Sequence, residues 1–215
     1  MKGVIFDLDG TMVDNMMVHH QAWQRLLRSL GLELTLQQVK EQIHGVNDEI
    51  FLRLFGDRYT AEERRVLGDR KEAEYREIFK PQLSLIDGLP AFLDNLQQSG
   101  MLMGIGSAAP RENVDFVLDN LGIRHYFKTV LHAGDVNRGK PDPEIYHKVA
   151  LGLGVEATEC IIFEDSPTGA EAAWRAGSKA VILTTTHAEP EFARFPNIIK
   201  FLKDYSNTKE LITFW

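Results

Sequence analysis

Cysteine is almost absent from these 215 residues: Cys160 is the only one, so no disulfide can close within the chain, as fits a reducing compartment. It lies in the apolar run CIIF, where a thiol serves as a small buried hydrophobe rather than a nucleophile. No apolar run approaches the ~18 residues of a membrane span. Met1 and Lys2 lead straight into a short strand and its acids, without the sections of a signal peptide; the expectation is a cytoplasmic protein with no membrane partner. Positive charge is also scarce. With 24 Lys and Arg against 31 Asp and Glu, the net charge is -7; nucleic-acid affinity rests largely on cations that neutralise phosphates, so no nucleic-acid partner is expected. A small anionic substrate would need a local cluster of cations or a metal. Internal repeats and low-complexity segments are missing as well, and 44% hydrophobic and 26% charged residues are ordinary for a globular chain, so disorder is not expected. The length suits one domain, or one domain with a smaller insert.

What is present is concentrated in the first fourteen residues, MKGVIFDLDGTMVD. Gly3 to Phe6 read as a buried strand that runs directly into Asp7, Leu8, Asp9 and Gly10. Side chains alternate along an extended backbone, so Asp7 and Asp9 leave on one side and Phe6 and Leu8 on the other. Two carboxylates at a strand end, in a loop broken by glycine, make a hard oxygen site suited to Mg²⁺, with the other positions filled by backbone carbonyl, water and substrate phosphate. Asp7 can then be metal ligand and nucleophile together, taking a phosphoryl group as an acyl phosphate. Asp9 can protonate the leaving oxygen and later activate the incoming one. Taken alone, the same acids would serve equally well as a polar cap on a strand.

The periodicity predicts helices at Asn15 to Gly31, Leu36 to Ile43 and Asp48 to Phe55, and a longer one from Thr60, with Glu63 in a capping box, to Phe79. Residues 15–80 thus form a helical block without a strand, placed to be a lid. Beyond Pro81, strands predicted at Leu102 to Gly106, Thr129 to His132, Cys160 to Phe163 and Ala180 to Leu183 alternate with helices at Leu89 to Gln98, Arg111 to Leu121, Pro143 to Leu153 and Pro167 to Ala176. Such alternation predicts an α/β fold with a parallel sheet whose first strand is Met1 to Asp7. In open sheets of this kind ligands bind beyond the carboxyl ends of the strands. The tail from Thr184 carries an expected edge strand, Asn197 to Phe201, a helical turn at Thr208 to Ile212, and no assigned chemistry.

Three further strand ends bear on that site. Gly106-Ser107-Ala108-Ala109 offers a hydroxyl and small residues, over which backbone could approach a phosphate; a simple turn would look the same. In Gly139-Lys140-Pro141-Asp142-Pro143 the prolines stiffen the loop, Asp142 is placed to cap the next helix and Pro143 to begin it, which fixes Lys140 where it could neutralise phosphate and orient Asp7. After the fourth strand, Ser166 and Pro167 read as N-cap and first helical residue, leaving Glu164 and Asp165 at the strand tip, either as metal ligands or as complements to the helix dipole. Two acids, a hydroxyl, a lysine and two more acids, in that order, make a metal-assisted phosphoryl-transfer site.

On these residues, Asp7-Leu8-Asp9-Gly10-Thr11, Ser107, Lys140 in GKPDP and EDSPTGAEAAWRAG from Glu164 to Gly177, the chain resembles the haloacid dehalogenase superfamily. The likeness is to its phosphatases and mutases with a helical cap inserted after the first strand. The resemblance implies a Rossmann-like catalytic core of residues 1–14 and 81–215 with a cap of residues 15–80. It further implies that Asp7 is nucleophile and Mg²⁺ ligand, and Asp9 general acid and base with its backbone carbonyl on the metal. Asp165 with Glu164 would complete the metal site, while Ser107 and Lys140 hold the phosphoryl group. Dehalogenases of this fold lack the second acid, so Asp9 speaks against dehalogenation.

The cap is similar to that of the β-phosphoglucomutase-like group. Val18-His19-His20-Gln21-Ala22-Trp23 matches its cap-helix motif, in which His19 would assist Asp9; Trp23 is read as packing. Gly45-Val46 matches the specificity loop and Lys71 the cap lysine. His44 and Asp48 stand where the mutase has a lysine and a phosphate-gripping arginine, and Ala109 and Arg111 where it has polar phosphate-binding residues, with Ala108 beside them. The substrate-binding set implied is therefore His19, His44, Gly45, Lys71, Ala108 and Arg111. Because Asp48 would repel a second phosphate, the expectation is a Mg²⁺-dependent phosphatase of a small phosphorylated metabolite, sugar phosphates included. β-Phosphoglucomutase is the second reading, and a catalytically silent phosphate-binding regulator a third. Nothing in the chain bears on oligomeric state; a monomer is compatible with it.

Overall fold

The computed structural model describes residues 1–43, 45 and 47–208. In chain order its elements are β1 (Gly3–Phe6), α1 (Met16–Ser29), α2 (Leu36–Gln42), α3 (Asn47–Phe55), α4 (Ala61–Phe79), α5 (Leu89–Gln98), β2 (Leu102–Gly106), α6 (Arg111–Asn120), β3 (Thr129–Leu131), α7 (Glu144–Leu153), β4 (Cys160–Glu164), α8 (Pro167–Arg175), β5 (Lys179–Leu183) and β6 (Ile198–Leu202). Every element expected up to Leu202 is present, with ends displaced by a residue or two. His44, Val46 and the terminal turn expected beyond Thr208 lie outside the described residues. Among those described, no helix is long and apolar enough to cross a membrane. The chain divides into two compact units, residues 1–14 with 84–215, and residues 15–83.

The first unit is built on a six-stranded sheet in the order β3-β2-β1-β4-β5-β6, parallel throughout. Its central strands are buried on both faces, as their unbroken apolar runs require. In register, Phe6 of β1 lies opposite Phe163 of β4. Those two rings stack at 5.0 Å and, with Phe92 of α5 and Tyr205, form an aromatic cluster. Ile5 and Ile162, one residue earlier, belong to the cluster that includes Ile145, Tyr146 and Val149 of α7 and Ala170 and Ala173 of α8. Alternation then dictates that Asp7 and Glu164, two residues past the isoleucines, leave the sheet on the side of α7 and α8.

The second unit is helical. Trp23, Leu26 and Leu27 of α1 pack with Val39 of α2 and Ile50 and Phe51 of α3, so Trp23 is core, as its apolar neighbours at helical spacing imply. Thr35 and Thr60 each open a helix with a complete capping box, through Gln38 and Glu63.

The tail adds more than an edge strand. Tyr205, buried under the sheet, donates its hydroxyl to the Thr11 carbonyl at 3.0 Å, and its amide to Asp87 at 2.8 Å, tying the chain end to the loop that follows Asp7 and Asp9. Tyr205→Phe should therefore cost about 1 kcal/mol, the worth of one buried hydrogen bond. Tyr205→Ala should cost about 3–5 kcal/mol by emptying the aromatic cluster. Urea denaturation checks both; equal losses for the two would contradict the ring's part in the core.

Candidate active site

β1 and β4 are neighbours, so their tips place Asp7 beside Glu164 and Asp165. One carboxylate oxygen from each lies within 4.8 Å of the others, and all three residues are buried. Lys140 enters from the loop before α7. Its ammonium donates to Asp7 Oδ1 at 2.5 Å and to Glu164 Oε1 at 2.6 Å, with only 7% of its side chain exposed. The Lys140–Pro141 peptide is cis.

That loop is fastened to α7. Glu144 accepts from the Asn137 amide at 3.1 Å, the Arg138 amide at 3.0 Å and the Lys148 ammonium at 2.7 Å, and Lys148 also donates to the Asp135 carbonyl. The helix starts one residue later than the sequence implies: Pro143 is its N-cap, and Asp142 Oδ1 accepts from the Glu144 amide at 3.0 Å. These hydrogen bonds, that from the Lys148 ammonium foremost, hold the Glu144 carboxyl down at about 2.

Glu164 is held on every side. Its Oε1 accepts from Lys140 and from the Tyr146 hydroxyl, each at 2.6 Å. Its Oε2 accepts from the Asp165 and Ser166 amides and the Ser166 hydroxyl. Ser166 also caps α8 through the Gly169 amide, as the sequence implies. Two glycines make the space. A Cβ on Gly169 would fall 1.8 Å from the Glu164 carboxyl, and one on Gly10 would fall 2.1 Å from Asp165 Oδ2 and 2.8 Å from Thr186 Oγ1.

The electrostatics follow from burial. Desolvation pushes Asp7 up to about 7, against the pull of Lys140 and with help from the charges of Glu164 and Asp9. Burial likewise raises Asp165 well above the usual carboxylate range, assisted by Glu164 and Asp7 and opposed by the Thr186 hydroxyl. Burial works in the same direction on Glu164 but is outweighed by Lys140 together with the hydrogen bonds from Tyr146 and Ser166, so that carboxyl stays low and ionised. Three buried carboxylates thus face one ammonium. A hard divalent cation fits such a set of oxygens and the negative charge left over.

The remaining expected residues divide between the two units. Ser107, buried at the end of β2, accepts from the Ala109 amide at 3.0 Å, with Ala108 exposed beside it. Asp9 is half-buried and bridges to Val13 in the loop after β1; its carboxylate is not in the three-acid cluster among the described residues. Arg111, at the start of α6, is exposed and faces Asp115 at 3.4 Å. In the helical unit, the Lys71 ammonium donates to Glu72 Oε1 at 2.7 Å and sits 3.2 Å from His19 Nδ1, and the His19 ring stacks on Tyr75 at 3.9 Å. Gly45 takes a left-handed φ of 91°. Asp48 is not the bare negative charge the sequence implied: Arg64 Nε lies 2.6 Å from its Oδ1.

Sequence reasoning passed over three contributors. Thr185 donates to the Gly10 carbonyl at 2.5 Å, and Thr186 lies against Asp165. Both follow β5, a fifth strand end that a carboxylate-by-carboxylate reading does not mark. Tyr146 was hidden in the apolar pattern of α7.

The family described as haloacid dehalogenase-like hydrolase matches residues 4–183, and the chain belongs to it. A validoxylamine A 7'-phosphate phosphatase of Streptomyces hygroscopicus subsp. limoneus is 32% identical, over 94% of this chain and 95% of that one. A β-phosphoglucomutase of Bacillus subtilis is 30% identical, over 84% of this chain and 82% of its own. A crystal structure of an Entamoeba histolytica family IA hydrolase superposes with a TM-score of 0.87 at 23% identity, covering 95% and 94% of the two chains. The fold is that of this family and the protein is an enzyme acting on phosphate esters.

Two outcomes test the geometry. Gly169→Ala should force Glu164 off its amides and destabilise the protein by about 1–3 kcal/mol, as overpacking does; unchanged denaturation would show that the carboxylate has room. Glu144 has a folded pKa of about 2 against an ordinary 4.5, so its contribution is complete above that ordinary value and lost as pH falls toward the folded one. The gap in Tm between wild type and Glu144→Gln should accordingly be widest near neutrality and close as the solution is acidified. A gap independent of pH would contradict the role given to Glu144.

Proposed function

We propose that the protein is a Mg²⁺-dependent phosphatase of small organic phosphate monoesters, sugar phosphates among them, acting through an aspartyl-phosphate at Asp7. In this reading residues 1–14 and 81–215 carry the chemistry, and residues 15–80 are the cap that selects the substrate. The observation that carries it is the Lys140 ammonium held between Asp7 Oδ1 and Glu164 Oε1 beside Asp165.

Asp7, Asp165 and Glu164, with the Asp9 carbonyl, would hold the cation. When bound, Mg²⁺ supplies positive charge for Asp7 and for the oxygens of the transferring group. Asp7 attacks phosphorus as the ester P–O bond breaks, and Asp9 gives its proton to the leaving alkoxide. Water then attacks phosphorus, Asp9 takes a proton from it, the acyl phosphate bond breaks, and Asp7 is regenerated with release of inorganic phosphate. Lys140 and Ser107 hold the phosphoryl oxygens throughout.

Hydrolysis is preferred to mutase chemistry because a mutase must grip a bisphosphate by its distal group. At the position where the resemblance puts the mutase's arginine, Asp48 is paired with Arg64 through Nε, and Arg64 Nη1 donates to the Tyr59 carbonyl. The repulsion expected of Asp48 is thereby reduced, but a neutral pair offers no grip either. The curated phosphatase relative, aligned over nearly the whole chain, supports the same choice. The mutase relative keeps the second reading open to test.

Phosphate release from a panel of phosphorylated sugars and short acids should require Mg²⁺. It should fall by about three orders of magnitude or more in Asp7→Asn. Asp9→Asn should still accept phosphate on Asp7 from a reactive donor but turn over slowly. Conversion of β-glucose 1-phosphate, primed with the 1,6-bisphosphate, to glucose 6-phosphate with little free phosphate would replace this reading with the mutase. Tight binding without turnover would replace it with the silent regulator.

A further inference from the structure

Tyr146 is fully buried on the first turn of α7, yet it is not only a core residue. Its hydroxyl donates at 2.6 Å to Glu164 Oε1, the same oxygen that accepts from Lys140. Its ring lies under the Lys140 ammonium, 4.9 Å from nitrogen to centroid. A tyrosine kept for packing needs any convenient acceptor; this one takes the oxygen that holds the ammonium.

Lysine is a point charge on a flexible stem with three rotatable donors, so it does not orient itself. Here the ammonium is shared between two carboxylates, and how it is shared depends on how strongly each attracts it. A hydroxyl donating to Oε1 occupies part of that oxygen's capacity and so weakens its pull on Lys140, while the ring excludes water and favours the cation. We propose that Tyr146 is a positioning residue, whose hydroxyl on Glu164 and ring beneath Lys140 keep that ammonium directed at Asp7. The consequence for turnover rests on the phosphoryl-transfer reading above; the placement of Lys140 does not.

The test is Tyr146→Phe, which keeps the ring and removes the hydroxyl, studied on the full chain saturated with Mg²⁺. A buried, hydrogen-bonded ammonium exchanges slowly enough with water to give its own nitrogen-15 resonance at low temperature, assigned to Lys140 by its loss in Lys140→Met. In Tyr146→Phe that resonance should shift or broaden while the backbone amide spectrum away from the site is retained. On the best substrate of the panel kcat should fall about tenfold, as with other residues that orient a reacting group, and KM should change less than twofold. A Lys140 resonance identical to that of wild type overturns the proposal, whatever the activity. Wild type inactive on every ester would sink the phosphatase reading but leave the resonance test standing. Should the phenylalanine variant be too unstable for spectra, biosynthetic replacement of tyrosine by 3-fluorotyrosine, which makes the hydroxyl a stronger donor with little change of shape, should move the Lys140 resonance, and an unmoved resonance overturns the proposal equally.

Discussion

The site depends on one buried ammonium shared between two carboxylates. Taking Lys140, Asp7 and Glu164 out of water costs several kcal/mol per ion, and their mutual attraction offsets that only where the remaining hydrogen-bonding capacity is also met. The first unit meets it with backbone: the Asp165 and Ser166 amides at the start of α8 serve Glu164, and Glu144 binds the loop that carries Lys140. Even so, one ammonium does not balance three carboxylates. An arrangement that pushes the Asp7 and Asp165 carboxyls above the usual carboxylate range is poor as a stabilising device. It is well suited to receiving a cation and a phosphoryl group.

Much of this could be read from residue order alone, for definite physical reasons. A parallel sheet brings the ends of sequence-distant strands to one edge, so Asp7, Ser107, Lys140 and the Glu164-Asp165 pair had to converge once the strands were recognised. Stop and start signals were equally local: Ser166 with Pro167, and Thr60 with Glu63, act within one turn of chain. What escaped was non-local or disguised. Tyr146 sits on the apolar face of α7 and differs from a packing residue by one oxygen. Gly169 reads as an ordinary helix residue until the Glu164 carboxyl is seen in the space its missing side chain leaves. Thr185 and Thr186 belong to a strand end without a charge to draw attention.

The helical unit shows the same limit in electrostatics. Along the sequence Asp48 stands as a lone charge, because its partner, Arg64, lies a helix away, at the start of α4. Lys71, the expected cap lysine, is buried against Glu72, which also accepts from Asn47 at 3.1 Å. Desolvation would raise the Glu72 carboxyl, but the Lys71 charge, with His19 and the hydrogen bonds from Lys71 and Asn47, holds it below the usual range. Charges counted along the chain therefore overstate the net charge of this unit at these two positions, where each is paired.

The central claim is that Asp7 carries the phosphoryl group. The direct measurement is to quench the enzyme during turnover of p-nitrophenyl phosphate with Mg²⁺, reduce the acyl phosphate with borohydride, and locate the modified residue by mass spectrometry. Conversion of Asp7 to homoserine, dependent on both Mg²⁺ and the ester, is the predicted result. Modification at any other carboxylate, or full turnover by Asp7→Asn, would contradict the account.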